Sequence, residues 1–173
     1  MLVVTGKLPV CFPASADVLP CYYNHKPSAQ RSGWIDATLP GGNGVLWQFG
    51  HGLSFSNFSY SDAVIPKSVS KTGTLEISVK VSNMGKMDGE EVAQLYLRDV
   101  VASVTQPKLA LKGFERVMVK AGSSEVVKFS VDVASELKLL GRDFKWVVET
   151  GDWDVSIGGS SDGAQKVGTF NVA

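Results

Sequence analysis

The second half of the chain alternates between apolar and polar residues in the way that β-strands do. Residues 75–82 place leucine, isoleucine or valine at every second position, with polar residues between them. This pattern predicts a strand with one buried face. Residues 126–133 largely repeat the alternation, and residues 92–97 are apolar on both faces apart from Gln94, as expected of a central strand. Further apolar runs lie at 109–111, 114–119, 146–148, 153–157 and 169–172.

These runs predict an all-β fold that begins at about Phe58. Turn residues at 83–85 and 87–89 separate some of the runs, and only residues 134–140 suggest a short helix. Roughly seven short strands at this spacing are typical of two sheets packed face to face in an immunoglobulin-like sandwich.

The chain before Phe58 follows no such pattern. Residues 8–12 and 19–23 are two short, apolar, extended pieces, and residues 24–48 form a long irregular connection. A connection of this length in a compact protein is usually either functional or a linker. We therefore predict no independent domain in this part of the chain.

The sequence FGHGLSF, residues 49–55, lies where the two patterns meet. Its glycines, Gly50 and Gly52, permit backbone angles that other residues avoid, so the chain can bend sharply here. We predict that the neighbouring large apolar side chains form an apolar plug under the bend: Phe49, Leu53, Phe55 and Phe58.

Five sequence blocks, in the same order over nearly all of the chain, resemble the C-terminal part of glycoside hydrolase family 3, which includes β-glucosidases and β-xylosidases. The blocks are residues 6–13, 22–27, 49–62, 89–99 and 111–117. The resemblance implies a fibronectin type III-like domain at 58–173, an irregular linker and junction at 24–57, and at 1–23 the terminal strands of a preceding α/β sandwich domain. The catalytic barrel of the family and nearly all of that sandwich domain have no counterpart here.

The same resemblance implies that residues 1–23 lack most of the domain against which they would pack. We therefore expect their apolar side chains to be poorly buried or packed in a substitute way: Leu8, Val10, Phe12, Leu19 and Tyr22.

Composition excludes some function classes. Hydrophobic residues make up 44% of the chain, and 17 basic residues balance 17 acidic ones. A chain without net charge has no electrostatic preference for nucleic acid or for anionic membranes. No apolar run approaches the roughly 18 residues of a membrane-spanning helix, and the N-terminus lacks the features of a signal peptide. We expect a soluble protein, with no nucleic acid or membrane partner, and leave its compartment open.

Candidate carboxylates do not form a glycosidase pair. Glycoside hydrolysis uses two carboxylates on either side of one bond, but adjacent strand residues such as Glu90 and Glu91 point to opposite faces. Asp152 and Asp154 share a face beside a turn, where carboxylates are usually solvated. Asp152 and Trp153 repeat the dipeptide of the family's nucleophile motif, but outside its context. We therefore expect no catalytic residue in this chain.

Other chemical motifs are equally weak. The two histidines have no nucleophile beside them, and the glycine-rich residues 41–44 lack the lysine and helix of a phosphate-binding loop. Cys11 and Cys21 fit two half-buried thiols or a local disulfide, but not a metal site. We expect no metal and no cofactor. Asn57 begins the single glycosylation sequon.

Aromatic and polar residues before Phe58 are the candidates for contact with a partner or with sugar. Two readings remain open: packing against the rest of the enzyme, or a position at the rim of the sugar site. For the other tryptophans, Trp146 and Trp153, a core position is at least as good an interpretation. The interface or sugar-rim candidates are Tyr22, Tyr23, Asn24, His25, Trp34, Trp47 and His51.

The sequence thus predicts a non-catalytic C-terminal segment of a family 3 β-glucosidase-like enzyme. Its partners would be the remaining catalytic domains, which it would brace, and possibly an oligo- or polysaccharide at the substrate rim. The resemblance implies that the parent enzyme hydrolyses a terminal β-linked sugar with retention and without a cofactor. Two alternatives remain: a free-standing carbohydrate-binding sandwich module, and an adhesion-like spacer domain.

Overall fold

The computed structural model describes residues 5–16, 19–26 and 44–173, most of them in β-strands and turns. In chain order the strands are β1 (Phe12–Pro13), β2 (Val45–Trp47), β3 (Phe58–Val64), β4 (Ser68–Val69), β5 (Thr74–Asn83), β6 (Gly89–Asp99), β7 (Ala110–Val119), β8 (Ser124–Asp132), β9 (Leu139–Leu140), β10 (Trp146–Val147), β11 (Gly151–Gly158) and β12 (Gln165–Val172). A short helix, α1 (Val133–Glu136), follows β8. No helix among the described residues is long and apolar enough to span a membrane.

Two sheets form a sandwich, which confirms the predicted fold. One sheet has the strand order β4-β12-β11-β6-β7 and the other has the order β3-β5-β8. All of these pairings are antiparallel except that of β4 with β12. The sandwich therefore runs from Phe58 to Val172.

The core lies between the two sheets and uses the predicted alternation. The apolar positions of β5 are almost fully buried, and the polar positions between them point outward. They pack with the inward side chains of β8 and of the facing sheet, so that each contributes about 1.5–3 kcal/mol through burial. The main members of this core are Leu75, Ile77, Val79, Val81, Ala93, Leu95, Leu97, Val127, Phe129, Val131, Val155, Ile157 and Phe170.

The region predicted as a helix contains only one helical turn. Asp132 is the N-cap of α1, and its side chain accepts a hydrogen bond from the backbone N–H of Ser135 at 2.7 Å. The chain then forms the hairpin of β9 and β10. Trp146 lies on the outward side of this hairpin and is 65% exposed, whereas Trp153 is 7% exposed in the core. The core interpretation is therefore confirmed for Trp153 and wrong for Trp146.

Here we call the described residues before Phe58, 5–16, 19–26 and 44–57, the upstream segment. Of the two predicted extended pieces only Phe12–Pro13 is a strand, and it pairs with Val45–Trp47, which the sequence reading placed in an irregular connection. The expected poor burial of the first residues is seen: four of their five apolar side chains are exposed, namely Val10, Phe12, Leu19 and Tyr22. Leu8 is half-buried.

The predicted apolar plug is wrong for two of its four members. Phe49 is half-buried and Phe58 packs against the core, but Leu53 and Phe55 are 75% and 72% exposed. The reason is the direction of the chain. Ser56 is buried and its hydroxyl donates to the oxygen of Met87 at 2.7 Å, so the adjacent Phe55 points to solvent, and Leu53 lies beside an open cleft.

Candidate functional site: contact of the upstream segment with the sandwich

The middle of the outer face of β6 is buried although it lies outside the core. Gln94 and Tyr96 point away from the other sheet, yet they are only 3% and 0% exposed. The Tyr96 hydroxyl donates a hydrogen bond to Gln94 Oε1, and Gln94 Nε2 donates to the backbone oxygen of Gly159 at 2.9 Å. Burial, as the largest cause, raises the pKa of Tyr96. The side chains of Gln94 and Tyr96 therefore both have the hydrogen-bond partners that buried polar groups require.

The upstream segment covers this face at Gly50. This residue has φ +81°, and a Cβ there would lie 2.5 Å from Gln94 Oε1 and 2.9 Å from Ser160 Cα. Glycine is therefore needed both for the backbone angle and for the close approach. The backbone N–H of Ser161 donates to the oxygen of Phe49 at 2.9 Å, which holds the bend against the β11–β12 turn.

An aromatic stack extends the contact along β6. The Tyr23 ring stacks on Phe49, with 4.3 Å between ring centroids, and meets Tyr96 edge-on at 5.9 Å. The backbone N–H of Leu111, in β7, donates to the Tyr23 hydroxyl at 3.2 Å. Tyr23 therefore links the upstream segment to two neighbouring strands of the five-stranded sheet.

A partly buried ion pair attaches the beginning of the upstream segment to the sandwich. Lys7 Nζ lies 3.1 Å from Glu91 Oε1, and the two side chains are 19% and 6% exposed. The Tyr60 hydroxyl, from the other sheet, donates to the same carboxylate oxygen at 2.8 Å. Burial, followed by the charge of Glu91, raises the pKa of Tyr60, so this hydroxyl stays a donor. A Cβ at Gly159 would lie 2.4 Å from Glu91 Oε1, so the loop closes tightly over the pair.

Backbone hydrogen bonds complete the contact. The N–H of Leu8 donates to the oxygen of His51, and the N–H of Gly50 donates to the oxygen of Leu8, both at 2.8 Å. The N–H of Lys108 donates to the oxygen of His25 at 3.2 Å. The upstream segment is thus hydrogen-bonded within itself and to the sandwich at several points.

The candidate residues fall into different environments. Tyr23 and His25 contact the sandwich, and His51 bonds to Leu8, as described above. The Trp47 ring is half-exposed, stacked 6.2 Å from His51 and edge-on to Phe12 at 5.6 Å. Tyr22 and Asn24 are exposed. Trp34 lies outside the described residues. A sugar-rim role for any of them stays a prediction.

The residues that make the tightest contacts were not among the interface candidates predicted from the sequence. Lys7, Tyr60 and Tyr96 lie in the sequence blocks of the family resemblance without any further signal, and Glu91 was predicted only to be unsuited to catalysis. Gln94 did give a signal, because a polar residue in an otherwise apolar central strand has to find a hydrogen-bond partner when it is buried.

The carboxylates considered for catalysis have structural partners instead. Glu90 pairs with Arg116 on the outer face, opposite to Glu91, as predicted. Asp152 accepts from Asn171 Nδ2 at 2.8 Å, and Asp154 lies 2.6 Å from Lys166 Nζ. Within the described residues, no group of three or more His, Cys, Asp or Glu side chains could hold a metal ion. Cys11 and Cys21 are both half-buried.

An open cleft of about 790 Å³ lies between the junction and the sandwich. Its walls come from β3, β11, β12 and the junction, and the Lys7–Glu91–Tyr60 cluster lines it. The rest of the lining is uncharged. Its hydroxyl and amide side chains come from Ser54, Ser56, Asn57, Ser59 and Gln165, and its apolar side chains come from Leu53, Phe58, Ile157 and Val167.

Comparisons with known proteins find relatives of the sandwich and of nearly the whole chain. A family described as fibronectin type III-like domain matches residues 91–161. The periplasmic β-glucosidase of Salmonella typhimurium is 36% identical over 97% of this chain and 23% of its own length. The thermostable β-glucosidase B of Acetivibrio thermocellus is 38% identical over 91% of this chain and 22% of its own length.

Solved structures agree over the same extent. A β-glucosidase from Erythrobacter marinus matches 98% of this chain and 22% of its own with a TM-score of 0.87 at 30% identity. The likeness thus extends well beyond residues 91–161 to the upstream part of the chain. The chain spans less than a quarter of the length of these relatives. It belongs to the C-terminal region of glycoside hydrolase family 3 enzymes, with a fibronectin type III-like domain as its main body.

Proposed function

We propose that this chain braces the catalytic domains of a family 3 glycoside hydrolase and carries no catalytic residue of its own. In this proposal residues 1–23 are the terminal strands of the preceding α/β sandwich domain, residues 24–57 are the linker and junction, and residues 58–173 are the bracing domain. The parent enzyme would hydrolyse a terminal β-linked sugar such as a β-glucoside, in keeping with the names of the relatives.

The Lys7–Glu91 ion pair carries this proposal. Glu91 lies on the sandwich and Lys7 on the upstream segment, 84 residues away in sequence. A buried carboxylate without a partner is strongly unfavourable, so the sandwich is most stable with the upstream segment in place. Through this pair the sandwich would hold the edge of the preceding domain at a fixed position.

The test uses two truncated enzymes, the Salmonella typhimurium and Acetivibrio thermocellus β-glucosidases without the region that this chain matches. Each is assayed for hydrolysis of aryl β-glucoside and aryl β-xyloside, alone and mixed with this chain. We expect no hydrolysis by this chain alone and higher activity or thermal stability of at least one truncated enzyme on mixing.

Hydrolysis by the isolated chain would mean that it contains an active site, and Glu90, Glu91, Asp152 and Asp154 would then be substituted one by one. No effect on either truncated enzyme would contradict the bracing role.

One observation favours the second candidate function, a carbohydrate-binding module. Trp47 presents a half-exposed ring held in place by His51 and Phe12, and an aromatic ring of this kind can stack on the apolar face of a sugar. Isothermal titration with cello- and xylo-oligosaccharides separates the two functions. Saturable heat that is lost in Trp47→Ala would support sugar binding and contradict a role limited to bracing.

A further inference from the structure

The junction presents two apolar side chains to solvent. Leu53 and Phe55 are the most exposed large apolar residues of the upstream segment. They are separated by one residue, and Leu53 lines the open cleft. Exposed apolar side chains of this size beside a cleft are typical of an interaction surface.

The backbone that carries these side chains is firmly attached to the sandwich. Ser56 Oγ donates to the oxygen of Met87 at 2.7 Å, and the N–H of Met84 donates to the oxygen of Asn57 at 2.8 Å. A Cβ at Gly89 would lie only 3.0 Å from the Phe58 ring, so the two chains are in close contact. A backbone that is already fixed loses little further entropy when a partner covers its side chains.

Exposed apolar residues are concentrated in the upstream segment. The upstream segment holds 8 of the 20 large apolar side chains that are exposed among the described residues, although it makes up only 34 of those residues. Its other side is the buried contact with β6 described above. A partner that covers Leu53 and Phe55 would therefore extend an interface that the chain already forms.

We propose that Leu53 and Phe55 dock onto the catalytic portion of the parent enzyme, and that the adjoining cleft receives a loop of that portion. This inference rests on the proposed bracing function. The occupant is a polypeptide without net charge at the contact, because Lys7 and Glu91 in the cleft neutralise each other and the remaining lining consists of hydroxyl, amide and apolar groups. The relatives are more than four times as long as the region matched here, so they contain enough chain to supply it.

The test measures binding of this chain to the two truncated β-glucosidases by isothermal titration, together with the activity of the mixture. The variant is Leu53→Ser with Phe55→Ser. The matched control is Val101→Ser with Phe144→Ser, which removes side chains that are 81% and 84% exposed. Val101 lies just after the end of β6, and Phe144 lies at the tip of the β9–β10 hairpin. All four sites are exposed, so neither variant should change the thermal unfolding of the chain by much.

We expect the Leu53/Phe55 variant to bind about 10- to 100-fold more weakly than the wild type, because central apolar contacts dominate interface energies. The control should stay within about twofold of the wild type. If the wild-type chain binds and stimulates a truncated enzyme and the Leu53/Phe55 variant does so equally well, Leu53 and Phe55 are not the docking surface, while the bracing function stands. If the wild-type chain neither binds nor stimulates, the bracing function fails and this inference fails with it.

Two further outcomes would overturn the proposal by naming another occupant. Concentration-dependent dimerisation of the wild-type chain that disappears in the Leu53/Phe55 variant would assign the surface to a second copy. Saturable binding of cellobiose or xylobiose that disappears in the same variant would assign it to sugar.

Discussion

The Lys7–Glu91 pair allows a quantitative test of how the upstream segment is held. Two unit charges 3.1 Å apart attract each other by about 5 kcal/mol at an effective dielectric constant of 20. Most of this attraction offsets the cost of removing the charges from water. Lys7 keeps some contact with solvent, so we expect a net coupling of about 1–2 kcal/mol.

The perturbation is a double-mutant cycle of Lys7→Met and Glu91→Gln. Lys7→Met leaves a buried carboxylate with Tyr60 as its hydrogen-bond partner, and we expect it to cost about 2–4 kcal/mol. Glu91→Gln keeps an acceptor for Tyr60 and leaves Lys7 able to turn toward solvent, so it should cost only about 1–2 kcal/mol. The double variant should be more stable than the sum of the single costs implies.

Urea unfolding gives these free energies, and hydrogen exchange of residues 5–13 shows whether the segment opens locally. The matched control is Lys80→Met, which breaks an exposed ion pair with Asp62 and should change stability by less than about 0.5 kcal/mol. The reasoning is refuted if Lys7→Met resembles this control, or if the cycle gives no coupling and residues 5–13 exchange as in the wild type.

Three further predictions, which use four substitutions, test separate parts of the structure. Gly50→Ala places a methyl group against a buried amide at a left-handed backbone angle, and thermal unfolding should show a loss of about 2 kcal/mol or more; wild-type stability would contradict the close approach. Burial raises the pKa of Asp99, so the stability that this group contributes is present at low pH and is lost as the pH rises through its folded-state pKa. Asp99→Asn should therefore stabilise the chain at pH 7 and progressively less toward pH 4. An effect on stability that does not change with pH would argue against a raised pKa of Asp99. Trp153→Ala should cost about 3–5 kcal/mol and Trp146→Ala less than about 1 kcal/mol in urea unfolding, and equal costs would contradict their different burial.

The sandwich could be predicted from local pattern because a half-buried strand shows its buried face in the sequence itself. Residues 75–82 alternate without exception, and every apolar member of that run enters the core. The two tryptophans show where this reasoning ends. Trp146 and Trp153 both lie in short apolar runs, but one run forms a hairpin at the surface and the other a central strand, and only the pairing partners distinguish them.

Most of the candidate site could not be predicted from the local sequence pattern. Lys7 and Glu91 are far apart in sequence, and no periodicity connects a lysine in an extended piece with a glutamate in a strand. Leu53 and Phe55 were expected to be buried because apolar residues usually are. Whether they are buried depends on which side of the chain faces the sandwich near Ser56, and composition carries no information about that.

The sequence alone therefore determined the all-β class, most strands of the sandwich, and the position of the junction near Phe58, since each follows from the order of neighbouring residues. The tertiary structure decided that the upstream segment lies over the outer face of β6, where Gln94 and Tyr96 are satisfied. It also decided that Lys7 and Tyr60 meet Glu91 on the opposite face, and that Leu53 and Phe55 remain open to solvent. The physical reason is that burial of a side chain depends on which distant surface comes to cover it, and only the folded chain brings those surfaces together.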